Sequence, residues 1–513
     1  MIRTALLSAV WMLTTALAAQ QAPDILWDRS LGGTNNDVGR SMALTPDGGI
    51  VIVGGSGSVS ATSTANMGDM DLWIVRMDAN GFPLWHRNFG GSGSDIAIGV
   101  VVATDGSIIV LGQTDSPDGT IGVPEADADY VLIRLDADGE PQLIQRFSAG
   151  PSLQTGISDF VALSDGSFAA IGGKVIYPTT GAAHVDVMVL GLSATGNVLW
   201  SENYGGSGND SGISITQGAS GKLLCTGQTR SSDGDVTGYM GLDDGWLLEV
   251  SLNGQLIQQR TLGGEFNDQI SSAVETNEGD IVVSGYYSYE MMIGETRQTS
   301  TRVVVEKISS AGESVWLRDY GGTNGDIGWH VRSTTDGGYL LFAYAYSNDG
   351  DVTDFGGTID AWLIRLDADG ELVWQRTFGG LGEEVAGDIV IMDDGGCLLL
   401  MGASGWNDEM SQYLGGNDTW LVRLGPEVVS VPDMASFGRP LDVLPFAGGY
   451  TAVVSPEVAR AHCLVLDAAG RVVRESNLGS GFHSVRLDSE ASGIYLVTLR
   501  SGQHVRTARV AKD

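Results

Sequence analysis

An all-β fold, a seven-bladed β-propeller of four-stranded blades, is what this sequence predicts, on three observations. A glycine pair recurs at Gly32-Gly33, Gly90-Gly91, Gly205-Gly206, Gly263-Gly264, Gly321-Gly322 and Gly379-Gly380, with a degenerate copy at Ala149-Gly150, at spacings of 56 to 59 residues. Between the pairs, short apolar runs are punctuated by hairpin-turn sequences such as P-D-G-G, D-A-N-G and D-A-D-G. No window carries a sustained helical period, and a solenoid coil would be shorter or helical.

Each repeat reads as four strands in order. In the first copy these are the run into "GRSMALTPDGG", then "GIVIVGG", "DLWIVRMDANG" and "PLWHRNFGG". The chain opens with a fourth strand alone, "ILWDRSLGG", and its last copy stops after a third, "DTWLVRLG". The N-terminal strand is therefore expected to complete the last blade, which would remove the open edges of an incomplete sheet.

Other positions keep the register. Five residues before the glycine pair stands Trp27, Trp85, Trp200, Trp316 or Trp374; three before it stands Arg29, Arg87, Arg146, Arg260, Arg318 or Arg376. Five after its first glycine stands an acid: Asp37, Asp95, Asp210, Asp268, Asp326 or Glu384. A D-x-W step recurs at Asp71/Trp73, Asp244/Trp246, Asp360/Trp362 and Asp418/Trp420. Structural roles are expected for all of these. The tryptophans would pack between blades, the glycines would turn the chain from one blade to the next, and arginine and acid would pair bidentately across that turn.

The segment 1–19 reads as a secretory signal peptide, with an early arginine, an apolar run from Ala5 to Ala18 and the small-residue triplet Ala16-Leu17-Ala18. That run falls short of the ~20 residues a membrane anchor needs, and no later segment is apolar enough to span, so the mature protein is expected to carry no membrane span. The net charge of −35 excludes nucleic acid as a partner and disfavours anionic membranes. Lys174, Lys222, Lys307 and Lys512 are the only lysines. Three scattered cysteines, Cys225, Cys397 and Cys463, do not make a disulfide framework, and the first two lie in strand-like apolar runs as buried thiols.

Residues 20–424 make the propeller. Its connections between second and third strands are long and dissimilar and share a face with the blade-to-blade turns, whereas the opposite face has only tight hairpins, so the first is the candidate binding face. Trp329, Trp406, Tyr286, Tyr287 and Tyr413 lie outside the repeat register and are candidate ligand-stacking residues. "SSDGDVTG" with Asp233 and Asp235, and "SNDGDVTD" with Asp349, Asp351 and Asp354, have the closely spaced carboxylates a hard cation uses. No cofactor is required, and calcium is the ion these aspartates could hold, although Asp-Gly sequences also simply make turns. Catalytic signatures are missing: there is no complete G-x-S-x-G, H-E-x-x-H, P-loop or C-x-x-C, and the six histidines are dispersed. Acid pairs such as Glu383/Glu384 and Asp393/Asp394 leave glycoside chemistry open, but Asp393/Asp394 lie in a turn.

After Gly425 the pattern breaks. Residues 425–440, with the prolines of "GPEVVSVPDMASFGRP", read as a linker, and 441–513 as a small β-sandwich-like domain. Here "LVLDAAGRVVRES", "SGIYLVTLRSG" and the basic end "VRTARVAKD" resemble the C-terminal sorting domain of type IX secretion cargo from Bacteroidota, through Asp467, Gly470, Arg471, Gly493 and Tyr495. The resemblance implies export across the outer membrane by the type IX machinery, with the cargo released or fixed to the surface. The repeats themselves resemble the propeller arrays that often precede such domains, which implies a fold and an extracellular setting but no active site. The sequence thus points to a secreted or surface-anchored binding propeller with a polysaccharide or surface protein as ligand. An extracellular glycan hydrolase or lyase is the alternative, and a mainly structural surface component is a third reading.

Overall fold

The computed structural model describes residues 21–59, 66–122, 129–150, 155–293, 296–407 and 409–427, and most of 441–512. The segment expected to be a signal peptide, most of the stretch expected to be a linker, and Gly470 lie outside the described residues. The chain divides into two compact units, Met1–Glu427 and Val428–Asp513. Among the described residues every element is a strand.

The first unit holds seven four-stranded antiparallel sheets. The first blade runs Asp37–Leu44, Ile50–Ser56, Asp71–Met77 and Pro83–Phe89, from inner to outer strand. Inner strands of successive blades contact one another, and those of the seventh and first blades also touch, so the ring is closed. The N-terminal strand Ile25–Leu31 forms the outer edge of the seventh blade, antiparallel to Asp418–Leu424, with Trp27 opposite Arg423 and Leu31 opposite Thr419. The propeller and its strand-swapped closure match the sequence expectation.

Third strands run fully buried because both faces of each sheet are covered by neighbouring blades. Trp73, Trp246, Trp362 and Trp420 are at most 1% exposed, and Phe378 meets Trp420 edge-on in one inter-blade cluster. The outer-strand tryptophans do a different job. Trp27, Trp85, Trp200 and Trp316 each lie against the glycine of the next blade's third-to-outer hairpin: Gly81, Gly139, Gly254 and Gly370. A guanidinium two residues on stacks over the same ring, at 5.1 Å for Arg29 on Trp27 and 5.4 Å for Arg87 on Trp85.

The arginines do not pair with the acids beyond the turn. Arg29 donates to the carbonyls of Gly81 (2.9 Å) and Asn80 (2.8 Å), Arg87 to that of Asp138 and to Glu140, Arg318 to Asp369 and Glu371, and Arg260 to Gly312 and Glu306. Arg376 bonds Pro23 and Glu409, and Arg146 bonds Ser116. In Arg29, Arg87, Arg260 and Arg318 the guanidinium reaches to the neighbouring hairpin, and the acid is already engaged by the backbone. Each acid accepts the amide of the second glycine four residues earlier: Asp37 from Gly33 (2.8 Å), Asp95 from Gly91 (3.0 Å), Asp210 from Gly206 (3.1 Å), Asp268 from Gly264 (2.5 Å), Asp326 from Gly322 (2.8 Å) and Glu384 from Gly380 (3.1 Å). The first glycine is obligatory for a related reason. Gly32 has φ of 136°, and a Cβ there would stand 2.7 Å from Asp37 Oδ2 and 2.8 Å from Asp418 Oδ1.

In the second unit, Leu441–Phe446, Gly449–Val454 and Gly481–Arg486 form one sheet, and Ala461–Leu466, Val472–Leu478, Gly493–Ser501 and His504–Lys512 another. Asp467 closes the hairpin between Ala461–Leu466 and Val472–Leu478, accepting from Arg471 N (2.9 Å) and Nε (2.7 Å). Tyr495 is buried on its strand.

Chemical denaturation should separate these roles. Asp326 accepts from Gly322 N, Tyr346 N, Ser347 N and Ser347 Oγ. Asp326→Ala is expected to destabilise by roughly 3 kcal/mol or more, whereas Arg318→Ala, whose pair with Glu371 is largely solvated, should cost about 1 kcal/mol or less. Equal losses would contradict the assignment.

Candidate functional site

Every inner strand carries a β-bulge at the same repeat position, where one residue has no partner on the second strand. The skipped residues are Arg40, Ile98, Ser158 and Ile213 in the first four blades. In the last three they are Ser271, Trp329 and Gly387. In the first blade the bulge brings the carbonyl of Val38 to the place a Cβ on Gly54 of the second strand would occupy, and glycine there admits it. All seven bulge residues face one central cavity of about 660 Å³, which reaches the loop-rich face at Glu383, Ser404 and Asn417.

Because the bulge leaves backbone amides unpaired on the inner strand, neighbouring blades supply acceptors. Asp388 accepts from Met42 N (3.0 Å), Asp159 from Ile215 N (3.0 Å) and Ser272 Oγ from Val331 N (3.3 Å). His330 Nε2 lies 2.8 Å from the Gly387 carbonyl. These contacts zip successive blades together around the cavity.

The wall is chemically uneven. Arg332 donates to Asp388 (3.2 Å) and to the Ile389 carbonyl (3.2 Å), so its charge is matched. Arg40 is exposed and makes no ion pair or hydrogen bond among the described residues. Trp329 packs against Tyr344 (5.7 Å) and His330 (6.0 Å). Burial holds the His330 imidazole down to about 4, helped by the Arg332 charge, so it is neutral at physiological pH. Burial also pushes the Asp159 carboxyl up to about 6, against the pull of its bonds to Ile215 and Ser214.

Of the aromatics singled out in sequence, Trp329 lines this cavity. Trp406 stands 53% exposed on the loop-rich face of the seventh blade, and Tyr413 nearby donates to the Gly416 carbonyl (2.7 Å). Tyr286 and Tyr287 are not on a loop. They lie on Ile281–Ile293, which pairs with Thr296–Ile308 as one continuous hairpin, and Tyr287 donates to Glu306.

The aspartates proposed for calcium are engaged by the preceding turn. Asp233 accepts from Ser207 N (2.7 Å), Asp235 from Gly205 N (3.2 Å), Asp349 from Thr323 N (2.7 Å), and Asp351 from Gly321 N (3.0 Å) and Arg302 (3.0 Å). Asp354 takes a left-handed φ of 61°. Among the described residues no three His, Cys, Asp or Glu side chains converge as a metal group. Cys225, Cys397 and Cys463 are buried free thiols, and burial pushes Cys397 up to about 12. No described helix is long and apolar enough to cross a membrane.

Sequence reasoning missed Arg40, Arg332, Asp159 and Asp388. For Arg40 alone there was a signal: the column three residues after the repeated acid, which holds Arg40, Ile98, Ile213, Ser271, Trp329 and Gly387, varies while the acid is kept.

No family model matches this chain. The regulatory protein FlaEY of Caulobacter vibrioides is 26% identical over 169 residues, 31% of this chain and 18% of that protein, so the chain spans under a fifth of this curated relative. Among solved structures, puromycin hydrolase aligns with a TM-score of 0.45 at 13% identity, over 83% of this chain and 59% of that one. The Neurospora crassa Pan2 WD40 domain aligns at 0.43 and 9% identity, covering 76% and 90%. YCF48 bound to D1 peptide aligns at 0.42 and 10%, covering 80% and 100%.

The raised Asp159 carboxyl destabilises the fold when ionised. Its contribution is fully present below the unfolded carboxyl range, near 4, and is lost as pH rises through about 6. Asp159→Asn should flatten that part of the stability–pH curve, measured by denaturant titration at each pH; an unchanged slope would mean Asp159 is not the group responsible.

Proposed function

We propose that this protein is a binding propeller whose ligand enters the central cavity from the loop-rich face, and that the ligand is a polysaccharide. The observation that carries this reading is the contrast within each repeat. The scaffold positions repeat, while the seven bulge residues that face the cavity are of five types, from arginine and tryptophan to serine, isoleucine and glycine. Seven copies of one catalytic group are thereby ruled out as the purpose of the ring, and what remains is a single asymmetric surface. On it an unpaired guanidinium, an indole and two hydroxyls at Ser158 and Ser271 offer a stacking plane, a charge and hydrogen-bonding partners, which suits a sugar chain. Trp406 on the same face extends the aromatic surface.

A hydrolase or lyase reading draws on Asp159 and Asp388, two acids of the cavity wall. Both are already committed to backbone amides of adjacent blades, which makes binding the better-supported function. Export is part of the proposal: the N-terminal segment and the Asp467–Val473 and Gly493–Val497 steps support delivery by a type IX system to the exterior. Retention of the chain in the periplasm of a host with that system working would refute this.

The binding test uses the full chain passed over immobilised neutral and carboxylated polysaccharides, with supernatants assayed for released sugar. Retention without release is expected. Arg40→Ala or Trp329→Ala should weaken retention about tenfold, equivalent to ~1.4 kcal/mol each. Release of reducing or unsaturated sugars would make the protein an enzyme, and indifference to both substitutions would move the site elsewhere.

A further inference from the structure

A second set of carboxylates, outside the cavity, repeats at the blade junctions. The D-x-W aspartate at the start of a third strand, or in the third blade Asp186 of an Asp-Val-Met step, faces the turn-capping acid of the next blade. Five such pairs occur: Asp418 with Asp37, Asp71 with Asp95, Asp186 with Asp210, Asp244 with Asp268, and Asp360 with Glu384. The separation is bounded most directly at ring closure, where Asp418 Oδ1 and Asp37 Oδ2 lie 2.8 and 2.7 Å from one point, the absent Cβ of Gly32.

Within each pair the oxygens are unequally served. Asp418 Oδ2 accepts from Leu414 N (2.8 Å) and Gly415 N (3.0 Å), Asp244 Oδ2 from Met240 N (2.7 Å) and Asp360 Oδ2 from Gly356 N (2.8 Å). The other oxygen, Oδ1 of Asp418, Asp244 and Asp360, is buried with no hydrogen-bond donor, and all three residues are 0% exposed. Asp71 and Asp186 stand at the same repeat position with Asn88 and His184 beside them. Backbone carbonyls crowd the same place: around the point where a Gly241 Cβ would stand lie Asp244 Oδ1 (2.9 Å), the Phe266 carbonyl (2.8 Å) and the Gly264 carbonyl.

A buried, donorless carboxylate oxygen beside a second carboxylate requires positive charge. Neither lysine nor arginine is a hydrogen-bonded partner of these three aspartates. A water would supply hydrogens but no charge. An all-oxygen set of carboxylates and carbonyls is the donor chemistry of a hard cation.

We propose that these blade junctions bind hard divalent cations, calcium foremost, with up to five equivalents per chain. The cation bridges the third strand of one blade to the turn of the next and neutralises ten acids of a strongly anionic ring. The proposal is independent of the cavity's ligand. It also differs in place from the Asp-Gly loops, whose carboxylates are taken by backbone amides.

The full chain, stripped with EDTA and dialysed at neutral pH, is titrated with calcium chloride, with bound metal measured by mass spectrometry and unfolding followed by heat. Calcium should bind at several equivalents and raise Tm. Asp418→Asn and Asp360→Asn should each remove about one equivalent and a share of the Tm rise, since the amide is nearly isosteric but uncharged. Absence of bound calcium would overturn the proposal; Tm then rising in EDTA from about pH 8 to about pH 5 would identify a shared proton instead. Calcium bound undiminished in both variants would also overturn the site assignment. Should either variant fail to fold, Asp244→Asn, at the equivalent junction of the fourth blade, takes its place, and calcium bound undiminished there overturns the assignment in the same way.

Discussion

Everything in the ring hangs on one short bond, from the amide of the second glycine to a carboxylate four residues later. It turns the chain from the outer edge of one sheet to the inner edge of the next, and it is repeated six times. Because the carboxylate folds back over the turn, the first glycine cannot carry a side chain. Hydroxyls just beyond the second strand then tie the same carboxylate down, as Ser116 does to Asp95 and Ser347 to Asp326. A cluster of this kind buries charge, and several charge-assisted hydrogen bonds per acid offset part of that cost.

The tryptophan–arginine pair and the buried tryptophans contribute on different scales. A fully buried indole such as Trp362 is worth about 3–5 kcal/mol when truncated, whereas an exposed guanidinium bridging to a hairpin contributes about 1 kcal/mol or less. The stacked arginine therefore serves orientation more than stability. Lying over Trp27 and holding the Gly81 carbonyl, Arg29 fixes the angle at which one blade meets the next.

Much of this was legible in the chain because repetition amplifies weak signals. The glycine pairs, the turns and the divided last blade together specified seven sheets and their closure. The partners of Arg318 and Asp326 were not legible. A strand sequence shows that two charges are close along the chain but not that one points at a neighbouring hairpin and the other back at its own turn. The strand setting of Tyr286 and Tyr287 was not legible because "YYSYEMMIGETRQTSTRVVVE" occupies the position that other repeats give to a loop, although its β-branched and aromatic residues suit strands. The cavity lining was hidden for a different reason: a bulge breaks the two-residue alternation, so no pattern assigns Arg40 or Trp329 to a face.

The shared last blade has a kinetic consequence. Its outer strand, Ile25–Leu31, is made first, and its third strand, Asp418–Leu424, nearly last. Six blades can assemble from neighbouring segments as the chain emerges, but the seventh waits for contacts spanning almost 400 residues. Joining such distant segments carries a large loop-closure penalty and slows the final step. Until then the first strand is an unpaired edge, available to a chaperone or to another nascent copy, and the ring locks only when both ends of the repeat array have met.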